Sequence, residues 1–368
     1  MSLFIFVCIL IGLILVHEWG HFFAAKAFGI AVEEFAIGFP PRLFSFFKGG
    51  TLYSFNLLLL GGYVKIFGEE SEKKNQLLSD SEKKRSFTHR SPWVQGAVIV
   101  AGIACNLVFA WLLLSVGYLV GLPASAGEHT MGVVQGVHTT IVYVLPGSPA
   151  EQAGIQAGDQ VVKIQTATAT LAPGASSSAL QQFIAGHAGE SIVLFVERNG
   201  VQDVFLAKPA AGIVPGHQAI GIELDDVGTL RLSLPLALVQ GAILFSQMVD
   251  STAVGLVTFF ASILHGVASF SEVAGPIGIA YIGSAAVRQG FTSVLLLTAL
   301  ISINLAFINV LPIPGLDGGR LAFIVIEALR GRPLPERLTT NLTIASFALL
   351  LMFMVIISYH DIVRLFHF

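Results

Sequence analysis

Residues 3 to 28 form an apolar run long enough to cross a hydrocarbon core of about 30 Å, yet His17, Glu18 and His21 interrupt it. A chain with such a run can fold only if lipid or a large core covers it, and similar runs recur near 93–120, 291–312 and 340–360. Charged residues make up 12% of the sequence, about half the share of an ordinary soluble protein, which favours lipid. The net charge of -3, with no dense basic tract, argues against a nucleic-acid partner. Cys8 and Cys105 both lie in apolar runs and read as small core residues, not as a disulfide or a metal pair.

A cleaved leader is the rival reading of the first run, because Ala25-Lys26-Ala27 imitates a cleavage site. Residues 1–16 contain no Lys or Arg, however, and three ionisable groups close the apolar stretch, so a retained span is expected. From Lys26 to Arg90 the chain turns polar and carries half of its 20 Lys and Arg, which marks that loop as cytoplasmic. Within it, Tyr53 to Phe67 is two short apolar stretches about a Gly61-Gly62 turn, expected to form a hairpin dipping into the membrane edge. An amphipathic surface hairpin fits the same pattern. Residues 93–120 are a second span, in which Gly102 and Asn106 share one face and suit close helix packing.

Residues 122–229 alternate apolar and polar positions between Gly, Pro and Ser, and their acids outnumber their bases; this is a soluble domain outside the cytoplasm. Residues 232–268 are apolar but hold Gln240, Gln247, Asp250, Ser251 and Thr252, which suggests an interfacial or bent helix. Spans at 291–312 and 340–360 follow, separated by a basic loop, and both termini face outward. The expected architecture is a polytopic α-helical membrane protein with about four transmembrane helices, a re-entrant β-hairpin and an inserted α+β domain. Its parts are 1–121, 122–229 and 230–368.

His17-Glu18-Trp19-Gly20-His21 sets two imidazoles at i and i+4, one turn apart on one helix face, where they can grip one Zn²⁺. Glu18 beside them can act as general base toward a zinc-activated water. Two buried histidines satisfied by neighbours are the alternative, but burying charge in lipid costs at least about 2.5 kcal/mol per group, which a shared ion would justify. A catalytic zinc takes three protein ligands. Among Asp250, Glu272, Asp317 and Glu327, span parity brings only Asp317 to the depth of the histidines, provided that 232–268 does not cross. Pro312 and Pro314 free the backbone beside Asp317 from helical pairing, and Asn304 and Asn309 offer amides for an unwound substrate or for helix contacts.

With His17-Glu18-Trp19-Gly20-His21, Leu60-Gly61-Gly62-Tyr63-Val64-Lys65, Gly275-Pro276-Ile277-Gly278-Ile279-Ala280 and Asn304 to Gly319 in this order, nearly the whole chain resembles the site-2 proteases. These are bacterial zinc metalloproteases of regulated intramembrane proteolysis. The resemblance implies His17, His21 and Asp317 as zinc ligands and Glu18 as the catalytic glutamate. It implies that Gly61, Gly62 and Tyr63 belong to a strand edge that receives substrate, with Asn304 and Asn309 helping to position it. Val144 to Ile164 is similar to the heart of a PDZ domain, present once. The implied partners are membrane lipid, single-pass transmembrane substrates of the anti-sigma-factor or signal-peptide type, and a peptide ligand of the PDZ domain unless that domain is a size filter. The implied location is the bacterial cytoplasmic membrane, with the site near its inner face and the PDZ domain outside. The alternative function is a non-catalytic PDZ-bearing scaffold or chaperone.

Overall fold

The computed structural model describes residues 2–69, 78–127, 131–198, 200–214, 217–266 and 274–366. Glu272, considered above as a ligand, and Lys73 and Lys74 of the basic loop lie outside the described residues. The main helices are α1 (Ser2–Ala27), α2 (Pro92–Val120), α3 (Ser177–Gly186), α4 (Leu234–Leu264), α5 (Pro276–Gln289), α6 (Phe291–Val310), α7 (Asp317–Arg330) and α8 (Glu336–Phe366). The chain divides into two compact units, one of Met1–Ser115 with Gly241–Phe368 and the other of Val116–Gln240.

In the first unit α1 and α2 run antiparallel in close contact, because Gly20 faces the Ala101 backbone and Gly102 faces the His21 ring with no side chain between. Any Cβ at either position would collide. On α6, Ala299 and Ile303 are fully buried against Ala110 and Leu114 of α2. A second cluster joins Ala25 at the end of α1, Val98 and Ile99 of α2, Phe87, and Leu321 and Ile324 of α7. The amphipathic α7 thereby buries one stripe and leaves Val325, Ile326 and Leu329 exposed.

Two long strands, β1 (Val32–Lys48) and β2 (Thr51–Ile66), fill the loop between α1 and α2. Their turn is Gly49-Gly50, both at positive φ (59° and 77°), as a two-residue hairpin loop requires. This corrects the expected turn at Gly61-Gly62. Those glycines lie inside β2, and neither adopts the left-handed conformation. Glu34–Ile37 have partners on both sides, Leu52–Phe55 and Gly62–Lys65, so the last segment of β2 lies at the sheet's margin.

Among the described residues five helices are long and apolar enough to cross a membrane, one more than expected: Phe4–Ala27, Pro92–Val120, Leu234–Leu264, Phe291–Val310 and Glu336–Val363. The additional one is α4, which continues without a break from Leu234 to Leu264 despite its central polar residues. The parity argument against a span there also assumed a direct passage from this segment to α6. Instead α5 intervenes and packs on α1, α6 and α8.

The second unit is built on a seven-stranded sheet. Its strands are β3 (Leu122–Ser125), β4 (Gln135–Val144), β5 (Gln160–Gln165), β6 (Thr170–Leu171), β7 (Ile192–Arg198), β8 (Val201–Ala207) and β11 (Ile222–Leu230), in the order β3-β11-β4-β5-β7-β8 with β6 beside β5. A small ribbon of β9 (Ala210–Val214) and β10 (His217–Ala219) accompanies it. Alternate strand residues such as Ile192, Leu194 and Val196 point inward and meet Leu180 and Ile184 of α3. Ser176 caps α3, and the Asp226 carboxylate accepts from the Ser177 amide (2.8 Å) and the Thr139 hydroxyl (2.6 Å), fastening the helix start to the sheet.

Candidate active site

His17 and His21 project from one face of α1 and are both nearly buried, as the i, i+4 spacing predicts. The loop after α6 carries Pro312 and Pro314 and ends at Asp317 in the first turn of α7. It folds back closely: a Cβ at Gly318 or Gly319 would strike the carbonyls of Val310, Leu311 and Ile313, so only glycine lets α7 begin there. This places Asp317 Oδ2 at 2.9 Å from His17 Nε2 and 3.2 Å from His21 Nε2, while the two Nε2 atoms are 3.2 Å apart.

The protons around this triangle can be assigned from its neighbours. His21 Nδ1 lies 2.9 Å from the Val98 carbonyl, which only accepts, so Nδ1 carries the proton and Nε2 presents a lone pair. His17 Nδ1 lies 3.3 Å from the Asn106 amide, whose oxygen is buried without a partner. With that amide turned over, its oxygen would accept from Nδ1 and leave His17 Nε2 with a lone pair as well. Asp317 Oδ2 is buried without a hydrogen-bond partner. In that tautomer two nitrogen lone pairs and a carboxylate oxygen converge, an arrangement that repels itself unless a cation lies between. Ligand atoms on a tetrahedral zinc with bonds of about 2.0 Å are about 3.3 Å apart, close to the three separations found. His17, His21 and Asp317 therefore fit a zinc ion.

Glu18, the next residue on α1, faces the margin of the β-sheet. A Cβ at Gly62 would stand 3.7 Å from Glu18 Cγ, so the absence of a side chain brings bare strand backbone up to the carboxylate. Gly61 is covered by the Phe39 ring, which also stacks on Tyr63 with ring centres 6.2 Å apart. Asn309 reaches the cluster, its amide nitrogen 3.4 Å from His17 Nε2. Asn304 does not: five residues earlier on α6, it is exposed on the side away from the buried stripe of Ala299, Ser302, Ile303 and Ala306. Of the other acids considered as ligands, Asp250 is exposed on α4, and Glu327 accepts from the Leu334 amide.

Three supporting groups escaped the sequence reading. Asn106 looked like helix packing, the Val98 carbonyl has no side-chain signature, and Ser302 steadies α2 by donating to the Asn106 carbonyl at 2.8 Å. The Gly102 and Asn106 spacing was the available signal, since it marks the α2 face that meets α1.

Comparison with known proteins agrees with this arrangement. The family model described as Peptidase family M50 matches residues 5–353. The chain belongs to peptidase family M50. A zinc metalloprotease RasP of Oceanobacillus iheyensis is 28% identical over 96% of this chain and 97% of its own length. Another RasP, from Shouchella clausii, is 29% identical over 99% of both chains. A Nostoc relative reaches 35% identity over 95% of this chain and 93% of its own. The M50 chain is accordingly a zinc metalloprotease and a multi-pass membrane protein. The resemblance to site-2 proteases drawn from its four motifs holds over nearly the entire sequence.

Proposed function

We propose that this M50 protease hydrolyses peptide bonds of single-pass membrane proteins within or at the edge of the bilayer, with zinc on His17, His21 and Asp317 and with Glu18 as general base. The observation that carries the reading is the convergence of three ligand atoms, drawn from the first helix and from the first turn of α7, within 3.2 Å of one another. Zinc bound there would lower the pKa of a water from its bulk value toward about 7 and polarise the scissile carbonyl. Glu18 takes a proton from the attacking water and passes it to the leaving amide nitrogen. Val98 and Asn106 hold the two imidazoles in the tautomer that leaves Nε2 free.

A helix in lipid hides its peptide bonds in its own hydrogen-bond ladder, so substrate must unwind to be cut. The marginal segment Gly62–Ile66, with Gly62 against Glu18, offers backbone groups to which an unwound segment can pair as an added strand. Tyr63 lies within that segment, and Asn309, whose amide nitrogen is 3.4 Å from His17 Nε2, would hold a substrate carbonyl. The exposed Asn304 has a weaker case. Basic residues between Lys26 and Arg90 put this end of α1 on the cytoplasmic side of the bacterial inner membrane. Residues 122–229 read as a single extracytoplasmic PDZ domain. Its support is Ser148, which caps the turn at Pro149–Gln152, and α3 beside β11. The natural substrates would be anti-sigma-factor type proteins or signal-peptide remnants in regulated intramembrane proteolysis.

The test uses purified enzyme, a single-pass transmembrane peptide and metal analysis. Glu18→Gln retains zinc and loses cleavage, whereas Asp317→Ala loses both. Cleavage at the wild-type rate by Glu18→Gln would overturn the reading.

A further inference from the structure

The Gly275-Pro276-Ile277-Gly278 motif takes no part in the chemistry above, and a buried carboxylate on the last helix explains it. Asp361, near the end of α8, is only 6% exposed. Its Oδ1 accepts from the Gly275 amide at 3.1 Å and its Oδ2 from the Gly278 amide at 2.8 Å. These are donors at the start of α5 that the helix's own ladder cannot satisfy, and the positive end of the helix dipole adds to the attraction. Both positions must be glycine for the carboxylate to approach. A Cβ on Gly275 would stand 2.6 Å from Asp361 Oδ2, and one on Gly278 would stand 2.8 Å from Oδ1. Pro276 fits as the first helical residue because it has no amide to satisfy.

This joint bears on the site because α8 has little else to hold it. Among the described residues its substantial packing is on α5 alone, and most of its length is exposed, including Leu342, Phe347, Leu351 and Met352. Yet Thr343 of α8 lies 3.8 Å from the Cβ position of Gly315, two residues before Asp317. The apolar helix therefore passes the candidate ligand loop while being fixed mainly through Asp361. At the other end of the joint, α5 is anchored to α1, where Gly283 admits the Phe6 ring.

We propose that Asp361 is a positioning residue for membrane-embedded substrates, holding α8 as a fixed apolar wall beside the entrance to the site. The inference rests on the proteolytic reading given above. A transmembrane segment docks along this wall before it unwinds. A short water-soluble peptide with the same scissile sequence needs no such wall. Breaking the joint should weaken docking of the first substrate without touching turnover of either.

The experiment uses the full chain in nanodiscs with both substrates and with zinc content measured throughout. Wild-type cleavage of the soluble peptide is the control, and its failure would count against the proteolytic reading itself. Asp361→Asn puts an amide donor against one of the two backbone donors. It is expected to raise KM for the transmembrane substrate about tenfold, with kcat, soluble-peptide kinetics and zinc unchanged. Gly278→Ala should do the same from the α5 side. Equal damage to both substrates, loss of zinc, or an unchanged transmembrane KM in both single variants would overturn the proposal.

Discussion

Replacing Gly102 by Ala tests whether the close approach of α1 and α2 sets the metal site. At an ordinary helix-interior position this change favours the fold by roughly 0.5–1 kcal/mol, since Ala restricts the unfolded chain and suits the helix better. At Gly102 the sign should reverse. The new methyl would lie 2.9 Å from His21 Cδ2 and nearer still to Cε1 and Nε2, against an ordinary carbon contact of about 3.5–4.0 Å. The ring must retreat by about an ångström, while metal–ligand distances tolerate only about 0.2 Å. His21 then ceases to be a ligand, and its hydrogen bond to Val98 is lost with it. Zinc affinity should fall by at least about 100-fold, equivalent to about 2.8 kcal/mol, in a competition titration of detergent-solubilised protein against a chelator. Gly12→Ala on α1, where nothing lies within 4 Å of the new methyl, is the matched control and should bind zinc normally. Normal zinc affinity in Gly102→Ala would refute the reasoning.

Asn106→Ala removes the group that orients His17 and should lower zinc affinity about 10- to 100-fold, read by the same titration. Ile192→Ala in the fully buried core of the second unit should cost about 2–5 kcal/mol of that unit's stability, seen as earlier urea unfolding by a local fluorescent probe. Burial alone would raise the Asp226 carboxyl, but hydrogen bonds from Thr139 and Ser177 outweigh it and hold the group below the usual carboxylate range. Its stabilisation is therefore present above about pH 3.9, the ordinary Asp value, and disappears as pH falls through the lower folded value. Hydrogen exchange should show α3 amides losing protection in that acidic window, and Asp226→Asn should remove the pH dependence.

The two histidines were legible because helical periodicity alone puts them on one face, with no tertiary partner needed to see it, and Glu18 was legible as the acid between them in the five-residue motif. Asp317 was reached through a span count that the structure does not reproduce. Asp317 does lie beside the two histidines, and the local signal that pointed to it was Pro312, Pro314 and the glycines that follow. The hairpin turn was misplaced since Gly61-Gly62 and Gly49-Gly50 look alike in sequence, and only the backbone reveals which pair takes positive φ. At Gly62 the glycine serves approach to Glu18, a long-range requirement that no local pattern encodes. The unbroken α4 was missed because its polar residues resembled an interruption, although a helix satisfies its own backbone whatever its side chains. The α5 cap lay in a motif recognised but unexplained, since its partner Asp361 stands 86 residues after Gly275.

The ligand triangle also has a consequence for biosynthesis. Asn309, which touches His17, follows it by 292 residues, and Asp317 comes later still. If Asp317 is the third ligand, as proposed, a ribosome must complete most of the message before that ligand exists, and a partly made chain would offer a metal only two imidazoles. On that reading the zinc site, and hydrolysis with it, is completed only when nearly all of the chain has been made.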